Sequence, residues 1–217
     1  DPGTMRALAR LHLTRSKNRE LVGLLEAFGQ SRGDLRPAAY RAAAAVAESR
    51  LSDLEAAAGL RRASMQGDAD VAGLEDLARM ARRSRDRNRL AEAYKKLARM
   101  VDDDRTAGFW HVAAGLQALV STGIGRDAEE SFGAALKKDP GNVFAHAALA
   151  AQQRRAQRWA DLAGNLRDMA PLLADDATRA MVLRELGRVT ASKLGDPRAA
   201  RAHLERGLEL SPNDTGL

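Results

Sequence analysis

The side chains in this sequence that are best suited to acid–base chemistry are four histidines, His12, His111, His146 and His203. None of them stands at metal-ligand spacing from another histidine or carboxylate, and the adjacent pair Glu129 and Glu130 has no histidine beside it. There is no cysteine, so disulfides and thiolate metal sites are excluded. A glycine-rich phosphate loop and a nucleophile motif are also missing. We therefore predict that this segment is not an enzyme, has no catalytic or metal-binding residues and uses no cofactor.

The arginines offer a different chemistry, because their guanidinium groups bind carboxylates and phosphates. The densest basic run comprises Arg82, Arg83, Arg85, Arg87 and Arg89. Acidic residues concentrate at other breaks in the sequence, such as 102–104 and 175–176. Helix capping by Asp and the preference of Arg for helix C-termini can explain both groups. The functional alternative is an acidic partner on the basic run; nucleic acid is disfavoured because no aromatic residue interleaves for base stacking.

Composition indicates the elements that must position these side chains. The chain has 217 residues, of which 45% are hydrophobic and only 4% aromatic, and its net charge is +6. Ala, Leu and Arg dominate, and all three are strong helix formers. No stretch is long and apolar enough for a transmembrane helix. These features predict an all-α fold. The lack of cysteine favours a cytoplasmic location; the alternative is the periplasm, if the chain is part of a longer exported protein.

Polar breaks recur about every 35 residues, and each interval holds two amphipathic helical stretches. Asp1-Pro2-Gly3, Asp139-Pro140-Gly141 and Ser211-Pro212-Asn213 are similar breaks. We predict one array of about six helical hairpins over residues 1–217. Its repeats are 1–34, 35–67, 68–102, 103–140, 141–175 and 176–212. Since the array has no polar capping helix at either end, we expect it to be a segment of a longer protein.

The third interval carries the clearest packing pattern, with Leu74, Leu77, Ala78, Ala81, Leu90, Tyr94 and Leu97 at positions 4, 7, 8, 11, 20, 24 and 27. The second gives Tyr40, Ala43, Ala44, Ala47, Ala56, Leu60 and Ala63 at the same spacings. The fourth gives Trp110, Ala113, Ala114 and Gln117, and resumes with Ala128, Phe132 and Ala135 after an insertion of two residues. The sequence thereby resembles the tetratricopeptide repeat (TPR) family, in a bacterial-type array. Pentatricopeptide and Sel1-like repeats are the alternatives.

This resemblance implies an α-solenoid of about twelve helices in a right-handed superhelix, whose concave groove is lined by the first helix of each hairpin. The groove residues implied by the TPR positions are Arg6, Leu13, Arg41, Arg79, His111, Leu119, Phe144, Met181, Arg184 and Arg188. Arg82 also falls on this list, and Ala45, Gly115 and Ala151 would leave space for an inserted peptide.

These residues predict a scaffold or adaptor that binds a partner protein or peptide, through an acidic or C-terminal segment of that partner. The alternative is a regulatory or assembly module of a larger bacterial machine. In that case the basic run would meet an anionic surface, such as an acidic protein, a membrane surface or nucleic acid. The sequence does not indicate an oligomeric state.

Overall fold

The computed structural model describes residues 2–65, 70–122 and 125–212, apart from the side chains of residues 2, 4–6, 13, 121 and 122. Within these ranges the chain forms twelve α-helices and two single-turn 3-10 helices, at Gly33–Leu35 and Ala170–Leu172, without any strand. The α-helices are α1 (Pro2–Thr14), α2 (Asn18–Ser31), α3 (Arg36–Arg50), α4 (Leu54–Ser64), α5 (Val71–Arg83), α6 (Arg87–Met100), α7 (Asp104–Thr122), α8 (Arg126–Lys138), α9 (Val143–Arg155), α10 (Trp159–Met169), α11 (Asp176–Ser192) and α12 (Pro197–Leu210). The prediction of an all-α fold is confirmed.

The chain divides into two compact units, residues 1–100 with α1 to α6 and residues 101–217 with α7 to α12. Inside each unit every helix packs on the next one along the chain. The helices pair as hairpins of a first helix, A, and a second helix, B. In the first unit the A helices are α1, α3 and α5, and in the second unit they are α7, α9 and α11.

The turns inside the hairpins repeat one backbone feature. Five of them contain a residue with φ between 54° and 70°, namely Ser16, Ser52, Arg85, Gln157 and Gly195. Five residues after each of these, helix B presents a side chain that is at most 5% exposed, and these residues are Leu21, Ala57, Leu90, Leu162 and Ala200. In these five hairpins the left-handed residue therefore marks a constant register, which identifies the position-20 residue of helix B.

Aspartate carboxylates and one asparagine amide cap the N-termini of several helices. This is the structural role predicted from the sequence for the acidic residues at the breaks. At the breaks between hairpins, Asp103 accepts a hydrogen bond from the Thr106 backbone N–H at 2.7 Å, and Asn142 accepts one from Ala145 at 3.0 Å. Asp175 does the same for Thr178 at 2.7 Å. Such caps satisfy backbone donors that have no partner inside the helix. Helix chemistry thus accounts for several of the acidic residues at the breaks.

Helices A and B of two hairpins approach each other at a glycine. A Cβ built on Gly115 of α7 would lie 2.6 Å from Cε1 of Phe132 in α8. A Cβ on Gly187 of α11 would lie 2.7 Å from Cγ of Leu204 in α12. Gly115 therefore occupies the small-residue position 8 that the sequence pattern assigns to Ala114. The predicted insertion of two residues in this hairpin is wrong, because the spacing from Gly115 to Ala128 requires only one.

The second hairpin also departs from its predicted register. The buried residues of α4 include Ala57, Arg61 and Ser64, whereas Ala56 and Ala63 are only partly buried. Counted from Ser52, the left-handed residue of this turn, Ala57, Arg61 and Ser64 correspond to positions 20, 24 and 27. The gapless assignment to Ala56, Leu60 and Ala63 is therefore wrong by one residue, since α3 runs one residue further before the turn. As a consequence an arginine occupies a position that the family fills with an aromatic or leucine side chain.

Candidate functional site

The A helices of the second unit carry an exposed apolar surface. On α7 it consists of Phe109, Val112, Leu116 and Val120, which lie on one face at intervals of three or four residues. Phe109 is 58% exposed and Val120 60%, although the opposite face of the same helix is buried at Ala114 and Ala118. Helix α7 is thus apolar on both faces, but only one of them packs inside the unit.

The surface continues onto α9 beside it. Phe144 is 80% exposed, and Ala147 and Ala151 follow it on the same helical face. Phe144, Asn142 and the α7 residues Phe109, Val112 and Leu116 enclose a cleft of about 330 Å³. Because the side chains of Ala147 and Ala151 are small, they leave space above α9 next to Phe144.

Helix α11 completes the surface through Met181, which is 55% exposed. A second cleft, of about 280 Å³, lies between α9 and α11, with Ala147, Ala151, Met181 and Val182 in its wall. We call this apolar set the apolar A-helix face; its exposed members are Phe109, Leu116, Val120, Phe144, Ala147, Ala151 and Met181, and its half-buried member is Val112.

An ion-pair cluster borders this face between α9 and α11. Arg154 donates to Glu185 at 3.0 Å, and Arg188 donates to the same carboxylate at 2.9 Å. Burial by itself would raise the pKa of Glu185, but the hydrogen bond from Arg188 and the charges of Arg154 and Arg188 bring that pKa below its usual value. Two arginines thus share one carboxylate, so this cluster gives the border of the apolar A-helix face a net positive charge.

The structure places three predicted groove residues of the second unit at this surface or its border: Phe144, Met181 and Arg188. The predicted groove residues His111 and Leu119 are less exposed than these three. His111 is half-buried, and Leu119 packs against the cluster of Ala118, Ala128 and Phe132. Both assignments, and that of Gly115, depended on the register that Gly115 overturns. Arg184 lies on α11 and is half-buried.

Sequence reasoning missed all four α7 residues of this face, Phe109, Val112, Leu116 and Val120. The one-residue error in the register of α7 moved the expected groove positions onto their neighbours. A signal was present nevertheless, since the apolar residues at 109, 112, 116 and 120 form a second stripe on a helix whose other face already supplies the core. An additional stripe of this kind indicates a surface that packs against something outside its own hairpin.

The A helices of the first unit present charge instead. Arg79 donates two hydrogen bonds to Glu48 of the neighbouring A helix, one of them at 3.1 Å, and Arg83 donates to Glu48 at 2.5 Å. Arg41 is exposed and makes no ion pair within the described residues. The predicted residues Arg6 and Leu13 belong to α1, but their side chains lie outside the described residues.

The five arginines of the basic run are not equally available. Arg82 donates to the Tyr94 hydroxyl at 2.7 Å, Arg83 is paired with Glu48, and Arg89 is paired with Glu55 and Asp86. Arg85 and Arg87 are exposed and have no side-chain partner among the described residues. Much of the charge in this run is therefore compensated inside the unit.

The Glu48 cluster predicts how stability depends on pH. The hydrogen bond from Arg79 lowers the pKa of Glu48, with further lowering by the charges of Arg79 and Arg83 against the opposing effect of partial burial. A carboxylate whose folded pKa is lowered stabilises the fold above its unfolded pKa, and this contribution is lost as pH falls through the folded pKa. We expect Glu48→Gln to lower the free energy of unfolding by about 1 kcal/mol at pH 7. The difference from wild type should shrink as the pH falls below 4.5, the usual pKa of a glutamate side chain.

Urea denaturation at several pH values between 7 and 3 measures this difference. Glu75→Gln on the neighbouring helix α5 is the matched control, because Glu75 is exposed and makes no ion pair in the described part of the chain. A Glu48→Gln effect that is the same at every pH would contradict the assignment.

The histidines serve structural roles where their contacts are described. His146 is 5% exposed, and its ring nitrogens contact Asn165 Oδ1 at 2.6 Å and the Pro140 carbonyl oxygen at 3.0 Å. Burial and the nearby charge of Arg167 lower the pKa of His203, against the opposing effect of Asp196. Among the described residues, no group of three or more His, Asp or Glu side chains is arranged to hold a metal ion. None of the described helices combines the length and apolar character needed to cross a membrane.

No family model matches the chain, and no curated protein sequence matches it. Solved structures with a similar fold include MamA, at 12% identity and a TM-score of 0.47, over 78% of this chain and 95% of that one. YrrB, described as a TPR protein with an unusual peptide-binding site, matches at 14% identity and a TM-score of 0.46, over 88% of this chain and 96% of its own. A segment of MamA from Desulfovibrio magneticus RS-1 matches at 14% identity and a TM-score of 0.43, over 82% and 97%.

The hairpins themselves carry the assignment of the fold. Their helices pair in sequence order, a left-handed residue stands at a constant distance before helix B, and glycine allows close approach at position 8 in two of them. These are the features expected of the repeat that the sequence resembles. The described part of the chain has a TPR-type fold.

Proposed function

We propose that this protein is an interaction module that binds a segment of a partner protein on the apolar A-helix face. The observation that carries the proposal is the exposure of Phe109, Phe144 and Met181 on three successive A helices. Single exposed apolar residues are common on protein surfaces, but a contiguous set with clefts between its members is typical of a binding site. Large apolar side chains that enter such clefts dominate the affinity of many protein interfaces.

The chemistry of the surface suggests what the partner segment contains. Apolar side chains of the partner would occupy the clefts beside Phe144 and Met181, where the alanines of α9 leave space. Arg154 and Arg188 outnumber Glu185 at the border, so an acidic residue of the partner would be favoured there. The proposed ligand is therefore a protein segment with apolar anchors and at least one carboxylate.

The alternative use of the basic run has weaker support from the contacts. Only Arg85 and Arg87 of its five arginines lack a side-chain partner in the described ranges. An anionic surface would have to compete with Glu48 for Arg83 and with Glu55 and Asp86 for Arg89, while Arg82 already donates to Tyr94. We keep this alternative as the control in the experiment.

The test places a photo-reactive amino acid at position 144, 181 or 87 and identifies the cross-linked proteins by mass spectrometry. We expect the same partner from positions 144 and 181 and not from position 87. Phe144→Ala combined with Met181→Ala should weaken the purified complex at least about tenfold, because both anchors are lost. Both residues are mostly exposed, so the variant should remain folded.

Arg85→Glu combined with Arg87→Glu is the matched control and should leave the affinity within about twofold. If the arginine variant abolished binding while the Phe144 and Met181 variant did not, the partner would bind the basic run and the proposal would be wrong.

A further inference from the structure

A second cavity lies in the first unit, on helices that play no part in the apolar A-helix face. It is bounded by α4, α5 and α6 and has a volume of about 100 Å³. Its apolar wall consists of Leu54, Ala58, Leu74, Leu77, Met80 and Ala93. Most of these side chains are buried or half-buried, so the cavity is a recess in the packing between two B helices and the A helix beneath them.

Two small residues account for the recess. Ala58 of α4 is 6% exposed and Ala93 of α6 is 5% exposed, and both line the cavity. With methyl groups on both B helices, no side chain among the described residues of this unit fills the space between them. An engineered cavity of about 150 Å³ holds benzene, so one of about 100 Å³ suits a group the size of a leucine side chain.

The rim of the cavity is charged, and its charges do not cancel. Arg89 of α6 donates to Glu55 of α4 at 2.9 Å and through a second hydrogen bond, so these two residues neutralise each other across the cavity. Glu92 is paired with Lys95 at 3.1 Å. The two remaining rim cations, Arg62 and Lys96, are exposed and make no ion pair within the described residues. The charge of Arg62 also acts on Glu55 and lowers the pKa of that carboxyl, but the rim cations still outnumber the two rim carboxylates.

We propose that this cavity is a second binding site, for a leucine-sized aliphatic side chain of a partner protein that has a carboxylate close to that side chain. The aliphatic group would fill the space between Ala58 and Ala93, and the carboxylate would meet Arg62 and Lys96. Apolar volume and uncompensated positive charge at one opening favour this combination over a neutral or cationic ligand. The site belongs to the first unit and does not depend on the function proposed for the second.

N-acetyl-leucine and N-acetyl-leucinamide are matched probes, because they share the side chain and differ in the carboxylate. Each is titrated into the full chain labelled at its methionine methyl groups, and the Met80 signal is followed by NMR. We expect saturable shifts of Met80 with N-acetyl-leucine and roughly tenfold weaker binding of the amide, since the amide carries no charge. Equal binding of the two probes, or no shift with either, would overturn the proposal.

Two variants separate the site from non-specific binding. Ala58→Leu fills the cavity and should abolish the response of Met80 to N-acetyl-leucine. Arg62→Gln combined with Lys96→Gln changes exposed residues only, and it should reduce binding of N-acetyl-leucine to the level of the amide. The charge variant decides the matter if Ala58→Leu does not fold; unchanged affinity in that variant would refute the role of the two cations.

Discussion

Replacing both carboxylates beside Arg61, as Asp70→Asn with Asp76→Ala, is expected to lower the free energy of unfolding by about 3 kcal/mol. The Arg61 side chain is only 5% exposed, and its Nε lies 3.1 Å from Asp76 Oδ2 and its Nη2 3.4 Å from Asp70 Oδ1. Without the carboxylates the charged guanidinium would remain buried with neutral side-chain acceptors only, Ser64 Oγ at 2.8 Å and the amide oxygen introduced at position 70. Asn at position 70 keeps an oxygen that can still cap α5.

Removal of the arginine should cost much less. In Arg61→Met the apolar side chain fills most of the same space, and Asp70 and Asp76 are exposed enough, at 52% and 42%, to be solvated alone. We expect a loss of no more than about 1.5 kcal/mol, because a buried ion pair is often nearly neutral against a well-packed apolar replacement. Urea denaturation of both variants gives the comparison. An Arg61→Met variant as unstable as the carboxylate variant would show that the ion pairs stabilise this helix contact in their own right.

The second large effect is expected at Gly115, where alanine should lower the free energy of unfolding by about 2 kcal/mol. The added Cβ would stand 2.6 Å to 2.9 Å from three ring atoms of Phe132, and that ring is completely buried. Helix α7 or α8 must shift to relieve the contact. Helix propensity favours alanine over glycine by up to about 1 kcal/mol and offsets only part of the loss.

Gly133→Ala in α8 is the matched control, because a Cβ at that position meets no atom within 4 Å. It should raise the free energy of unfolding by roughly 0.5 to 1 kcal/mol through helix propensity and the less flexible unfolded chain. Thermal and urea unfolding of the two variants should therefore move in opposite directions. A stabilised Gly115→Ala variant would mean that α7 and α8 do not need glycine at this contact, and the register inferred for α7 would have to be revised.

The sequence by itself predicted the helices and most of their pairing. Spaced Ala and Leu residues, the breaks rich in Asp, Gly and Pro, and the period of about 35 residues all arise from local preferences and from the need to bury one face of each helix. These preferences act within a few turns of the chain, so no tertiary information is required. The pattern around Leu74, Ala78, Leu90 and Tyr94 needed no correction, since that hairpin has neither an insertion nor an unusual core residue.

Sequence reasoning failed on α7 because two adjacent small residues both fit the position of closest helix packing. Ala114 and Gly115 both satisfy a requirement for a small side chain, and only the approach of Phe132 distinguishes them. A one-residue shift rotates a helix by about 100°, so the sequence pattern assigned the surface to His111, Gly115 and Leu119. In the register set by Gly115 the same positions fall one residue later, on Val112, Leu116 and Val120. Arg61 was missed because a buried arginine is recognised only by the carboxylates that surround it.

The apolar A-helix face was identified partly from the sequence pattern and partly from the tertiary structure. Sequence pattern identified Phe144 and Met181, since the registers of α9 and α11 were correct. Tertiary structure added Phe109, Val112, Leu116 and Val120, since it shows which of the two apolar faces of helix α7 packs on α8 and which remains mostly exposed. Local sequence thus determined that α7 is a helix with more apolar surface than one contact can bury. Only the packing of its neighbours decided which part of that surface is left for a partner.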